Sequence, residues 1–441
     1  MGFLAGLVPG LHMNNIAALL SAYASSTLGL FAALSTLVGS VEASMSVSCF
    51  LSAALVAHIM AESVPSTYVG IPSGDIVSVL PAHRLARSGL GRSAVRASVD
   101  GAFSGVLASV VILLPVCLVL GKPMRLYELL RDSMGAIVVF FSCVLLASEG
   151  AGFRGRLATR LGRILRGALI FAASGLLGLV VLKTNYFSSP VPDVPWLPDG
   201  FTPIESLLLP MFAGLFGVPS LLLSLGSSHV FDLRIPHGSV HPHKPSVKDV
   251  VTSLIGGTVV GWMPGMTSGS AATLLSPTMR ETTHQGDIPS SLRFIWLYSS
   301  ISASGAVFSL GALFSIARAR SGTMDAVQTF LGSDIGETDW QTAMPLMFPL
   351  AMSMVLSALI SVSLLRKADS SMRGVRDLMS SRIVAYSALI FIISLSVVLS
   401  GTRGALVLVA SVLLGLLPPL SGVRRIQLMG CLLVPIGATF L

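Results

Sequence analysis

The 441-residue chain is 53% hydrophobic and only 11% charged, with a mean hydropathy of +0.83 and a formal net charge of +8. An ordinary soluble domain is about 25% charged, so this composition excludes a set of water-facing domains and describes an integral membrane protein. The positive charge does not point to nucleic acid, because Lys and Arg fall in short loops between apolar segments and not along a groove-sized face. Long unbroken aliphatic runs favour helices over the alternating ten-residue strands of a membrane barrel, giving an all-α polytopic fold. Cys49, Cys117, Cys143 and Cys431 lie in apolar stretches without CxxC or metal-ligand spacing. They read as small buried hydrophobes, and neither a metal nor a cofactor is expected. One feature resists this composition: 43 Gly and 24 Pro, residues that interrupt helices, and their positions carry the rest of the reading.

In chain order, apolar windows long enough to cross about 30 Å of hydrocarbon occur near residues 16–39, 43–61, 98–120, 134–148, 164–182, 204–225, 294–316, 343–365, 383–400, 404–420 and 426–441. Windows 1–12, 64–81 and 249–278 are apolar but broken by Gly and Pro. Roughly ten to twelve spans plus re-entrant pieces are expected. The divisions are a first repeat over 1–183, an outer Pro-rich loop over 184–202 and a second repeat over 203–441. Met1 opens directly on an apolar segment without a basic leader, so no cleavable signal is evident.

Orientation follows from the basic residues. Fourteen of the 28 Lys and Arg lie in segments 84–96, 154–166 and 366–382, which are therefore expected to be cytoplasmic. The 184–202 loop has no Lys or Arg and should face outward. With 366–382 inside, 279–293 and 226–248 are inside too, so 249–278 must leave and return on one side. A re-entrant hairpin satisfies this, and a Pro-Gly pair sits near its middle. An outside amino terminus, making the halves inverted, fits the Arg loops when 64–81 counts as a crossing.

An internal repeat carries the functional signal. Residues 2–21 read GFLAGLVPGLHMNNIAALLS and 257–276 read GTVVGWMPGMTSGSAATLLS, with eight identities in twenty positions at an offset of 255. The shared pattern is GxxPG, a polar cluster, then an apolar run. Pro lacks an amide hydrogen and Gly admits backbone closed to other residues, so each pair ends a half-helix. Behind Pro9 and Gly10 stand His12, Asn14 and Asn15; behind Pro264 and Gly265 stand Thr267, Ser268 and Ser270. These polar residues are placed to cap the next half-helix and to line a cavity. Gly and Pro also kink ordinary membrane helices, but duplication with polar residues behind both copies favours a transporter's substrate site, whose half-helix amino termini attract an anion. The second copy is preceded by a lead-in from Ser246 to Leu254, whereas the first begins at Met1; a mis-set start is the expectation.

A second constellation, AESVPSTYVGIPSGDI at 61–76, places Glu62, Ser66, Thr67, Ser73 and Asp75 amid apolar sequence. Acidic residues at membrane depth are costly and often functional, so these five are candidates for handling a coupling ion, Na⁺ or H⁺. The bland alternative makes Asp75 a helix cap at a cytoplasmic boundary. PMFAGLFGVPSLLLSLGSS at 210–228 and GLLPPLSGVRRIQLMGCLLVP at 415–435 repeat the theme of breaks. Arg424 and Arg425 read first as a boundary pair and second as a reach for a substrate carboxylate. His229, His237, His241 and His243 fall in a Gly-, Pro- and Ser-rich loop that reads as solvated and not as a metal site.

The motifs GLVPGLHMNN, GWMPGMTSGSA, GIPSGD, AGLFGVPSLL and the terminal GLLPPLSGVRRIQLMGCLLVP resemble the large membrane subunit of the tripartite tricarboxylate transporters, most of all its archaeal branch. The resemblance extends over essentially the whole chain. It implies an ion-coupled permease of the plasma membrane for a small organic anion such as a carboxylate. It also implies a small four-span membrane subunit and an extracytoplasmic solute receptor as partners. His12, Asn14 and Asn15 depart from the bacterial pattern behind the first break, which leaves tricarboxylate specificity open. Two other classes fit less well. An intramembrane protease is disfavoured because SGD at 73–75 lacks GxGD spacing and TSGS at 267–270 lacks GxSG order. A channel or accessory subunit is disfavoured by the duplication, which suits alternating access.

Overall fold

The computed structural model describes residues 1–8, 12–38, 42–68, 76–150, 157–184, 207–226, 243–263, 265–276, 288–332, 335, 340–368 and 382–440. Among them there is no strand, and the protein is an all-α polytopic membrane protein. Six helices are long and apolar enough to cross a bilayer, and five shorter apolar helices accompany them among the described residues.

The first half contains α1 (Gly2–Leu7), α2 (Met13–Ala22), α3 (Ala24–Val38), α4 (Ala43–Ala61), α5 (Ser63–Tyr68), α6 (Ile76–Arg87), α7 (Gly91–Val111), α8 (Leu113–Leu120), α9 (Leu126–Arg131), α10 (Met134–Ser148) and α11 (Leu157–Lys183). The second contains α12 (Leu208–Phe212), a π-helical turn (Ala213–Gly217), α13 (Val218–Gly226), α14 (Val247–Trp262), α15 (Ser268–Leu275), α16 (Ile288–Ile316), α17 (Gly322–Leu331), α18 (Trp340–Ala368) and α19 (Arg382–Ser421). A 3₁₀ turn (Arg425–Met429) and α20 (Gly430–Phe440) complete it. The outer Pro-rich loop lies outside the described residues.

Two expected spans are each divided. The window at 98–120 breaks at Ile112, between α7 and α8. Pro115 explains it, because proline has no amide for the Val111 carbonyl and its ring crowds the preceding turn. The window at 16–39 breaks at Tyr23, where Thr27 Oγ1 donates to the Leu20 carbonyl across the gap. Conversely, helical assignment runs through α19 although Gly401 has φ 60° and ψ −154°. A β-carbon built on Gly404 would lie 3.0 Å from the Ser396 carbonyl oxygen. Eight residues of straight helix would separate those positions by about 12 Å, so the chain reverses at Gly401 into the two expected spans.

Contacts fix the helix directions. α7 and α16 run parallel: Gly101 abuts Trp296, Gly105 abuts Ser300 and Gly121 abuts Ser315. α4 and α18 also run parallel, with Ser353 Oγ donating to the Cys49 carbonyl at 3.2 Å and Ser357 Oγ to the Ala53 carbonyl at 2.6 Å. The two pairs oppose each other, because Arg366 near the end of α18 meets Asp100 of α7 at 3.0 Å. The starts of α7 and α16 and the end of α18 therefore share one end of the molecule, the end at which the Arg-rich segments 84–96 and 366–382 were expected.

The motif helices follow their neighbours. Gly2 and Gly6 of α1 press on Ala54 and His58 of α4; Gly257 and Gly261 of α14 press on Ser304 and Phe308 of α16. Since α4 and α16 run in opposite directions, the two copies of the repeat are inverted. Small residues are needed here because a side chain at any of the four would overlap the partner helix.

Packing divides the molecule differently from the repeat. One core joins α2, α4, α5, α7 and α8 to α16, α17 and α18. A second joins α10 and α11 to α12, the π turn, α19, the 3₁₀ turn and α20. Each of these two cores draws on both halves, and three smaller clusters, one of them around the α14–α15 hairpin, complete the packing. Outward faces are apolar, as on α11, where Leu161, Leu165, Leu169 and Leu176 are all exposed, a stripe suited to lipid.

Candidate functional site

Both half-helices behind the breaks begin in the same register. His12 is the N-cap of α2, its Nδ1 accepting from the Asn14 amide at 3.2 Å. Thr267 is the N-cap of α15, its hydroxyl accepting from the Ser270 amide at 3.2 Å. These two caps are 255 residues apart, the offset of the sequence repeat. Pro9, Gly10 and Pro264 lie outside the described residues, as do Ser73 and Asp75. Gly265 is described: it is buried, with φ +79°, a conformation that suits glycine, and a β-carbon there would come to 2.5 Å from Leu433 of α20. Ser270 is fully buried and its hydroxyl lies 2.9 Å from that of Thr267, while Ser268 is half-buried. Asn15 belongs to the first turn of α2.

The second copy forms a hairpin. α14 and α15 pack on one another, and Leu275 at the end of α15 meets Gly256 of α14. Its base is anchored at the Arg-rich end. Ser246 and Asp249 form a reciprocal capping box, and Asp249 pairs with Arg293 of α16 at 2.6 Å. His243 stands 3.5 Å from Asp249. Burial pushes the His243 imidazole below its ordinary value, Asp249 raises it and Arg293 lowers it further; the depression prevails. Of the four histidines read as a solvated loop, the other three lie outside the described residues.

One short segment touches both breaks. Arg320, in the loop between α16 and α17, donates from Nε to the Met263 carbonyl at 3.1 Å and from Nη2 to the Met266 carbonyl. Met263 is the C-cap of α14 and Met266 stands just before the N-cap of α15, so both carbonyls lie where the helical ladder is interrupted. Three residues later, Thr323 donates its amide to Asn14 Oδ1 at 3.1 Å and its hydroxyl to the same oxygen at 3.0 Å. Asn14 thus reaches across to the start of α17 while His12 caps its own helix. Break two also touches the second packing unit through Leu433 and Ile436 of α20.

From the first break a second polar line leads inward. The His12 and His58 rings lie 5.4 Å apart, and His58 Nε2 is 3.8 Å from Glu62 Oε2. Glu62 lines a small cavity of about 30 Å³ with Ser66, Thr67, Ser98, Ser299 and Ser302. Three of the five sequence candidates for ion handling therefore meet in one place, facing hydroxyls from α7 and α16.

The full-length match to a family is decisive. The model of the tripartite tricarboxylate transporter TctA family matches residues 1–430. The chain belongs to the tripartite tricarboxylate transporter TctA family. It is also 25% identical over 337 residues to an uncharacterized protein of Methanocaldococcus jannaschii, covering 74% of this chain and 70% of that one. No solved structure matches. TctA proteins are a transporter family and not an enzyme family, and this chain is accordingly a multi-pass membrane protein of a transport system.

Within the TctA family assignment, Arg320 is the residue that sequence reasoning overlooked. Its ARSG tetrapeptide at 319–322 also occurs at 86–89, but not at the 255-residue offset of the repeat. The usable signal was placement: Arg318 and Arg320 follow the 29-residue α16 at the end opposite the Arg-rich loops, where the positive-inside rule gives them no role. Arg425, read as a boundary residue, donates to Ser220 Oγ at 2.7 Å, tying the terminal motif to the helix behind the π turn. Ser98, Ser299 and Ser302 were missed because serines scattered along α7 and α16 converge only once those helices pack.

Proposed function

We propose that the chain is the transporting subunit of an ion-coupled permease for a small organic anion, a carboxylate, working by alternating access. The observation that carries this reading is the bridge of residues 320–323, which contacts both inverted breaks. Arg320 is its fixed cation. A guanidinium has five N–H donors in a planar fork, and two nitrogens already serve Met263 and Met266, leaving the outer edge of the fork for a carboxylate. The amino ends of α2 and α15 add positive potential. The residues assigned to the site are His12, Asn14, Gly265, Thr267, Ser268 and Ser270, joined on the sequence pattern by Pro9, Gly10, Asn15 and Pro264.

Break two lies between the packing units, so relative motion of those units exposes the anion first to one side and then to the other. Na⁺ or H⁺ moving down its gradient drives uptake, and each elementary charge crossing 100 mV supplies about 2.3 kcal/mol. A small membrane subunit and an extracytoplasmic receptor are the expected partners. Counterflow of a carboxylate panel in proteoliposomes, with Na⁺ and H⁺ gradients imposed separately, tests the proposal. Saturable exchange that Arg320→Gln abolishes and Arg320→Lys weakens is expected. Exchange that is indifferent to Arg320→Gln, or unchanged in Pro264→Ala with Gly265→Ala, refutes the site.

A further inference from the structure

The cavity at Glu62 has the chemistry of a monovalent cation site. Its wall combines the Glu62 carboxylate with hydroxyl oxygens of Ser66, Thr67, Ser98, Ser299 and Ser302, beside those of Ser63 and Tyr298. Hard oxygen donors suit Na⁺, whereas Ca²⁺ or Mg²⁺ sites use more carboxylates or substrate phosphates. The donors come from both halves of the chain. Glu62, Ser66 and Thr67 stand at the α4–α5 junction, Ser98 on α7 and Ser299 and Ser302 on α16. The Ser98 and Ser299 hydroxyls already meet at 2.7 Å, each with a lone pair left over.

Local backbone adds to the set. Pro65 has no amide for the Ala61 carbonyl, so that oxygen at the end of α4 loses its helical partner. The carbonyl end of α4 also carries negative potential toward Glu62. Glu62 is 23% exposed and pairs with His58 at 3.8 Å. Neither ring nitrogen of His58 has a hydrogen-bond partner among the described residues. Acidic residues at membrane depth are costly and often functional, and Ser98 stands seven residues into α7, about 10 Å along the helix.

We propose that Glu62, Ser66, Thr67, Ser98 and Ser299 bind Na⁺, and that this site holds the coupling ion of the transport reading given above. The test uses the purified full-length chain in nanodiscs, without any organic anion. Thermal unfolding is followed while NaCl replaces choline chloride or KCl at constant ionic strength. Na⁺ alone should raise the midpoint saturably. Ser299→Ala and Ser66→Ala should each raise the half-saturating Na⁺ concentration by ~10-fold or more, since even partners one step removed from a metal are worth that much. Glu62→Gln should abolish the response, and all three variants should unfold near the wild-type midpoint in choline. Equal stabilisation by K⁺ and choline, or an unchanged Na⁺ response in both serine variants, overturns the site. Because no anion is present, either result leaves the carboxylate counterflow test to stand or fall by itself.

Discussion

Removing the side chain of Asn14 should loosen the link between the two breaks by an amount the geometry allows to be worked out. Asn14 Oδ1 accepts from the Thr323 amide at 3.1 Å and from the Thr323 hydroxyl at 3.0 Å, and Thr323 is fully buried. Asn14→Ala loses two neutral hydrogen bonds of about 1 kcal/mol each and strands a buried amide, for a total of ~3 kcal/mol. A kcal/mol shifts Tm by about 2–4 °C in a domain of 150–250 residues and by less in a longer chain, so a fall of ~5 °C is expected. Asn14→Asp keeps an oxygen at the same place, facing the amino end of α17, where negative charge is favoured. It should recover most of the loss. The assay is the unfolding midpoint in nanodiscs, followed by counterflow with each variant. An Asp variant as damaged as the Ala variant would mean that the amide nitrogen of Asn14, and not its oxygen, does the work. An Ala variant with an unchanged midpoint would remove the bridge altogether.

Two further outcomes follow from the remaining polar clusters. Because burial and Arg293 hold His243 below its ordinary value against Asp249, it contributes stability that is present above the unfolded pKa of about 6.5 and is lost as pH falls toward the folded value. The fall in Tm between about pH 8 and 5 should therefore be shallower in His243→Gln than in wild type, and equal slopes would contradict the assignment. Glu149 is buried and held by Arg163 Nη2 at 3.4 Å, Gln427 Nε2 at 3.2 Å and the Arg424 amide at 3.2 Å. Glu149→Ala strands these donors and should cost ~3–5 kcal/mol. In a double-mutant cycle with Gln427→Ala, chemical unfolding should reveal a coupling of about 0.5–3 kcal/mol.

The sequence was most readable where a residue type has one physical consequence. Pro-Gly in an apolar run had to end a half-helix, and the offset of 255 placed both N-caps, His12 and Thr267, in register before any coordinates. Arg placement anticipated that 84–96 and the start of 366–382 share one end, and Arg366 does meet Asp100 of α7. What composition hid were relations between distant segments. A serine on α16 is indistinguishable from its neighbours until α7 lies parallel to it and brings Ser98 to 2.7 Å. Arg320 looked like a loop residue because its partners are backbone carbonyls, which carry no sequence identity. Nor did hydropathy foresee the break at Tyr23, which no Gly or Pro marks.

The division into packing units bears on how the two proposed sites communicate. The Glu62 cavity is built from α4 through α7 and α16, mostly on one side of that division, with α6 also touching the 3₁₀ turn. Break two contacts α20, on the other side, so its surroundings change when the units move. A cation bound at Glu62 can influence the anion site through the side chains between them. On one route His58 and His12 connect Glu62 to the first break. From there Asn14, Thr323 and Arg320 connect to the second. Each link is a specific contact between elements that are remote in sequence, so any of them can be severed without touching either ligand. Coupling by this route requires that cutting it at Asn14 leave Na⁺ binding intact while uncoupling it from the anion, a separation that a shared electrostatic field across the whole unit would not produce.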